Sequence, residues 1–169
     1  PVQEHVDEYE VIGPDGYGYP IYALKENHKA LYGGLISEED MAKAYDDANP
    51  YENRDPRFYR DITYHGAMFK GKWINTATGA DAANSTTTGY FTHKFFDGYY
   101  TKGMDGDWNM DAPLIRLATI YLVYAEAVTR SKGATDEVYN MMNDLRARSF
   151  MAPIPPAAKT NKELLLDYI

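Results

Sequence analysis

Apolar and polar positions follow two different patterns along the chain. Up to about residue 112 the apolar residues come in short clusters interrupted by Gly, Asn, Asp and Thr. Beyond Pro113 they recur with helical spacing. Leu117–Ala125 carries no charge, which predicts a helix buried on most sides, with Tyr121 and Tyr124 in the interior. Arg116 and Glu126 bracket this run too closely for a membrane span. Gly133 supplies a left-handed stop, and Thr135 caps a second helix with Asp136 and Glu137 in its first turn and Arg146 and Arg148 in its last. Val138, Met141, Met142 and Leu145 form one apolar stripe on it. Pro153, Pro155 and Pro156 forbid continuation. Thr160-Asn161-Lys162-Glu163 then reads as a capping box that opens a third helix through Leu164, Leu165, Leu166 and Ile169. The first two helices predict an antiparallel pair the size of one tetratricopeptide-like unit, whose faces need neighbours to cover them.

The earlier region holds 12 of the 13 Gly, 12 of the 16 Tyr and both Trp. Ser37 caps a predicted helix reaching about Asp47, and Asp55-Pro56 starts another reaching about Ile62. Ala67–Ile74 and Tyr90–Phe96, both aromatic-rich, are expected to pair as a short hairpin around the polar Asn75–Thr88 loop. The predicted class is therefore mainly α: a tetratricopeptide-like helix pair, a large irregular loop-rich region and a short β-hairpin. The expected division is a loop-rich ligand-binding region over 1–112 and a helical region over 113–169, truncated within its last helix. Pro1 in place of an initiator Met and the short final helix read as a segment of a longer protein.

Composition narrows the chemistry. With 169 residues, 17 Lys+Arg against 25 Asp+Glu and a formal charge of −8, the chain repels a nucleic-acid backbone. No basic stretch leads into a signal-like apolar run, so the segment itself reads as soluble. The absence of Cys removes disulfides, thiolate zinc sites and cysteine nucleophiles. There is no G-x-S-x-G elbow and no H-E-x-x-H. His5, His28, His65 and His93 are scattered, which argues against a shared metal site. Gly13-Pro14-Asp15-Gly16-Tyr17-Gly18 follows no strand and opens no helix, so it reads as a turn rather than a phosphate cradle. Asp105, Asp107, Asn109 and Asp111 alternate like the first ligands of a calcium loop. Met110 and Arg116 occupy the positions that need Gly and an acid, so a solvated acidic loop is the better reading and no metal or cofactor is expected.

Several segments, in order, carry a resemblance. Asn49-Pro50-Tyr51-Glu52-Asn53-Arg54-Asp55-Pro56-Arg57-Phe58-Tyr59 resembles the NPY-x-NRDPRFY stretch of the SusD/RagB family, surface glycan-binding lipoproteins of Bacteroidetes. Pro1-Val2-Gln3-Glu4, Gly89-Tyr90 with Lys94-Phe95, Pro113–Ala118 with Tyr124-Ala125-Glu126-Ala127, and Asn143–Arg148 are similar to further family segments. Ser149 and Phe150 depart from the family's Ala-Gly. The family's lipidated Cys, earlier helical repeats and closing segments are not among these residues, so the match covers the later part of the family.

The resemblance implies a SusD-like outer-membrane lipoprotein at the cell surface that binds oligosaccharide without cleaving it. It implies delivery to a SusC-like TonB-dependent transporter in nutrient uptake. The alternative is a protein-interaction module or peptide-binding subunit of such a complex; a glycosidase is the third reading. The dense polar stretch Asn49–Tyr59 reads as scaffold, with Asp55 as a cap and Arg54 or Arg57 pairing with local carboxylates. Sugar rings present flat C–H faces, on which wet aromatic rings stack. The candidates are Trp73, Trp108, Tyr99, Tyr100, Tyr17 and Tyr19, with Asn75, Asp97, Asp105 and Asn109 as polar partners.

Overall fold

The computed structural model describes residues 1–24, 29–83, 86–94 and 113–169. In chain order its elements are α1 (Gln3–Asp7), β1 (Val11–Ile12), β2 (Gly18–Tyr19), a 3-10 turn (Ile21–Leu24), α2 (Lys29–Tyr32), α3 (Glu38–Ala44), α4 (Pro56–Asp61), β3 (Ile62–Thr63), β4 (Met68–Phe69), β5 (Lys72–Trp73), α5 (Gly79–Ala83), β6 (Phe91–Thr92), α6 (Leu117–Lys132), α7 (Asp136–Ala147), a second 3-10 turn (Pro156–Lys159) and α8 (Lys162–Tyr168). The architecture is mainly helical, with only small antiparallel strand pairs. The chain divides into two compact units. One comprises Pro1–Val6 with Phe58–Leu114, the other Asp7–Arg57 with Ile115–Ile169.

The second unit holds a continuous apolar core. Val11, Tyr19, Ile21 and Tyr32 from the early chain bury with Ala125 of α6, Val138 and Met142 of α7, and Leu164, Leu165 and Tyr168 of α8. The predicted stripe on α7 faces this core: Val138 and Met142 are buried, Met141 and Leu145 half-buried. Thr135 caps α7 as expected, its hydroxyl accepting from the Val138 amide at 3.3 Å. The cap of α8 is Asn161, one residue later than the capping-box reading, because Thr160 closes the 3-10 turn and Asn161 accepts from the Leu164 amide at 3.1 Å.

The expectation that α6 is buried on most sides needs correction. Ala125 and Thr129 are buried and Leu122 and Val128 pack against the core, but the other face is open. Leu117, Ile120 and Val123 are more than half exposed, and Tyr121 and Tyr124 lie 42% and 44% exposed. The reason is geometric: α7 and α8 cover one side of α6, and among the described residues no further helix covers the other.

The Asn49–Tyr59 stretch acts as scaffold. Asp55 is 1% exposed and caps α4, its Oδ1 accepting from the Arg57 amide at 2.7 Å. The Arg57 guanidinium returns to the same carboxylate at 2.9 Å, while Arg54 donates to the carbonyls of Pro50 and Tyr9. Ile12 and Asp55 amides donate to the carbonyls of Asn53 and Glu10, so this stretch is stitched to β1. From β1 the network continues inward. The buried Glu10 carboxylate receives the Arg146 guanidinium of α7, with Nη1 to Oε1 at 2.7 Å and a second bond from Nη2 to Oε2. Arg146 also donates to the Ala152 carbonyl and lies over the Tyr168 ring.

α7 ends in a left-handed cap held by Phe150, at φ 58°. Met151 donates to the Arg146 carbonyl and Phe150 to that of Ala147, the paired bonds of a Schellman stop. This is the position where the resemblance leads one to expect Gly, and Phe150 occupies it with its ring 83% exposed.

In the first unit, Val6, Phe58, Ile62 and Tyr90 are buried. Strand pairing here differs from the sequence expectation. Ala67–Ile74 does not pair with Tyr90–Phe96; it folds on itself, β4 against β5, while β6 pairs with β3. The cause is the two-residue turn Lys70-Gly71, both at positive φ (50° and 74°), which gives a type I′ hairpin and closes the shortest available loop. The Asn75–Thr88 segment contains α5.

Candidate functional site

The hairpin around Lys70-Gly71 builds the most accessible aromatic surface among those sequence candidates that fall within the described residues. Its ladder extends past the strands: Gly66 donates to the Ile74 carbonyl and Ile74 to that of Ala67, both at 2.9 Å. Met68 and Trp73 are directly paired and so lie on one face, with Phe69 and Lys72 on the other. Phe69 meets the His93 ring edge-on at 5.1 Å, which fixes one face of the hairpin within its unit. Met68 and Trp73 are 58% and 65% exposed. Trp73 therefore presents a large flat ring on a hydrogen-bonded support, and among the described residues its indole N–H carries no partner.

The flank of the hairpin is a rigid polar loop. Asn75 Oδ1 accepts from the amides of Ala77 and Thr78, and its Nδ2 donates to Thr78 Oγ1. The Asn75 amide donates to Asp81, whose other oxygen lies 3.7 Å from Lys72 Nζ. The Thr76 amide donates to His65 Nδ1 at 3.2 Å. The Asn75 side chain is thus engaged in shaping the loop beside Trp73, where it pins the turn.

The other candidates separate clearly. Tyr19 is wholly buried, and its hydroxyl donates to Asp15 Oδ2 at 2.6 Å, so its ring gives no platform. Burial and the Asp15 carboxylate together push its pKa well up. The sequence reading of Tyr19 as a wet ring fails because the Gly13–Tyr17 turn, a true turn as expected, joins β1 to β2 and directs both β2 residues inward. Tyr17 is half-buried against the core, its amide donating to Asp15. Trp108, Tyr99, Tyr100, Asp97, Asp105 and Asn109 lie outside the described residues, as does the Asp105–Asp111 stretch. His28 lies outside them too; His65 and His93 make the separate contacts given above.

Besides Tyr121 and Tyr124 of α6, two exposed aromatics lie outside the sequence candidates. Tyr59, 43% exposed, stands at the end of the Asn49–Tyr59 stretch and contacts Phe58 and Tyr64 edge-on. Its signal was a Phe-Tyr pair on a helix, where only one of two consecutive rings can face inward. Phe150 is the other; its departure from Ala-Gly was the available cue.

Much of the tyrosine content serves the core. Tyr22 and Tyr32 both donate to Asp167 Oδ2, Tyr139 to the Ile154 carbonyl and Tyr168 to the Gly18 carbonyl. Burial raises the pKa of Tyr22, Tyr32 and Tyr168. No cluster of three or more His, Asp or Glu suited to a metal ion occurs among the described residues.

In comparison with known proteins, the model of the SusD family matches residues 4–169. No curated protein and no solved structure matches.

Proposed function

Because the chain belongs to the SusD family, we propose that it binds oligosaccharide at the cell surface without cleaving it and passes it to a SusC-like TonB-dependent transporter. The observation that supports this reading most is Trp73, an open indole on a hairpin whose other face is held by His93. A pyranose ring can lie on that indole while the N–H and nearby hydroxyls meet its edge. Single sites of this kind are weak, and a polymer with repeated units strengthens them through multivalency. Anchoring belongs to a lipid in this proposal. Among the described residues no helix is long and apolar enough to cross a membrane.

Affinity electrophoresis of the intact protein through gels containing a panel of polysaccharides tests the binding, and a reducing-sugar assay on each retained polymer tests for cleavage. Retardation without sugar release is expected. Sugar release would replace a binding protein with an enzyme, and no retardation by any polymer would favour the second reading. That second reading, a protein-interaction module, has its own support in the open apolar face of α6.

A further inference from the structure

The register of the hairpin sorts its side chains by chemistry. Ile74 donates to the Ala67 carbonyl at 2.9 Å, so the alternation of an antiparallel ladder makes Phe69–Lys72 the next hydrogen-bonded pair. Met68–Trp73 falls between them as the pair whose side chains stand closest. Both lysines of the hairpin belong to the other face: Lys70 Nζ lies 5.9 Å from the centre of the Phe69 ring, and Lys72 Nζ lies 3.7 Å from Asp81. The Met68–Trp73 face thus carries a thioether and an indole, both more than half exposed, and no charge from the hairpin itself. Gly66 and Gly71, at its two ends, have no side chain to overhang it, and among the described residues a Cβ at either would meet nothing within 4 Å. Asn75, two places after the indole, has its side-chain oxygen and nitrogen engaged within its own loop.

From this, and resting on the oligosaccharide-binding reading above, we propose that Met68 sets the specificity of the Trp73 platform, and that the pair selects an uncharged sugar bearing a methyl group on its rim, as an acetamido or a 6-deoxy sugar does. A pyranose stacked on the indole projects its substituents past the edge of the aromatic ring. The substituent that reaches Met68 rests on a thioether, which accepts hydrogen bonds only weakly. A hydroxyl placed there gives up water and gains little in return. A methyl group there buries apolar surface against a flexible, polarisable side chain that adapts to it. A charged substituent is disfavoured more than a hydroxyl, since this face of the hairpin offers it no counter-charge.

The test is NMR titration of the intact protein with two matched pairs of sugars. Chitotetraose and cellotetraose share one backbone and differ by acetamido against hydroxyl; L-fucose and L-galactose differ by methyl against hydroxymethyl. The proteins compared are wild type, Met68→Leu, Met68→Gln and Trp73→Ala, with melting temperatures showing that each is folded. In at least one pair the methyl-bearing sugar should bind wild type about fourfold more tightly than its partner, the worth of one buried methyl group. The pair that shows the preference tells an acetamido ligand from a 6-deoxy one. Met68→Leu should keep the preference, Met68→Gln should abolish it while leaving the plain sugar's affinity nearly unchanged, and Trp73→Ala should weaken both members. Equal affinities within both pairs, or a preference that survives Met68→Gln, would overturn the proposal and leave glycan binding standing. Binding of none of the four sugars would overturn it too, and the reading beneath it falls as well only if no polysaccharide retards the protein in a gel.

Discussion

Removing Arg146 should bring the second unit close to unfolding. Glu10 and Arg146 are 7% and 5% exposed, and they are joined by two hydrogen bonds across 136 residues of chain. Arg146→Ala leaves the Glu10 carboxylate buried without its partner, which costs about 3–5 kcal/mol. It also frees the Ala152 carbonyl, which Arg146 Nε holds at 2.8 Å. Against a typical total of about 5–15 kcal/mol, the loss is a large fraction of stability. The geometry supplies a second handle at Gly18, where a Cβ would fall 2.6 Å from Arg146 Nη2 and inside contact distance of Glu10. Gly18→Ala should therefore cost about 1–3 kcal/mol through the same pair. The pairwise nature of the effect is checked with Glu10→Leu/Arg146→Met, which removes both charges and should recover most of the single-variant loss. Urea denaturation followed by circular dichroism reads all four proteins. A loss below about 1 kcal/mol for Arg146→Ala, or a double variant no better than the single one, would show that this pair does not join β1 to α7 as described.

Phe150→Gly should stabilise the chain by up to about 1 kcal/mol, since it relieves a left-handed Cβ clash that outweighs the entropy of Gly; the ring is 83% exposed and little burial is lost. A lower denaturation midpoint in that variant would mean that the Phe150 ring stabilises the fold. Stability should hold up to about pH 10 and decline above it, because Tyr19, Tyr22, Tyr32 and Tyr168 titrate higher in the fold than in the unfolded chain, mainly through burial. Urea midpoints measured from pH 8 to 11 read this, and a flat profile would contradict it. On α6, Ile120→Lys should change stability by less than about 0.5 kcal/mol whereas Ala125→Lys should cost about 4 kcal/mol or more, because the first faces solvent and the second the core. Similar losses at both positions in thermal melts would show that the open face is covered.

Local signals were legible and distant ones were not. Ser37, Asp55 and Thr135 cap helices as their sequences indicate, because a cap depends only on residues two or three places away. The inward stripe of α7 was readable for the same reason, a repeat along one element. α3 ends at Ala44 rather than near Asp47, where Tyr45 leaves helical geometry. The uncharged run of α6 fixes its helical nature and says nothing about how many neighbours it meets. The Glu10–Arg146 pair joins the two ends of the chain and has no local trace. Trp73 and Tyr19 show the limit at the candidate site. Both lie in Gly-rich polar surroundings, yet the Lys70-Gly71 turn leaves Trp73 outside while the Gly13–Tyr17 turn carries Tyr19 into the core. Composition identified loops that could bear a ligand; the handedness and register of each hairpin decided which ring is available.

Titration of the intact protein, wild type, Trp73→Phe and Trp73→Ala, with a polysaccharide that retards it in a gel asks most directly whether this ring holds sugar. Trp73→Ala should lose about tenfold or more in affinity, the scale of one aromatic stacking contact, with its melting temperature nearly unchanged, and Trp73→Phe should lose less. Undiminished binding by a folded Trp73→Ala protein would place the saccharide elsewhere.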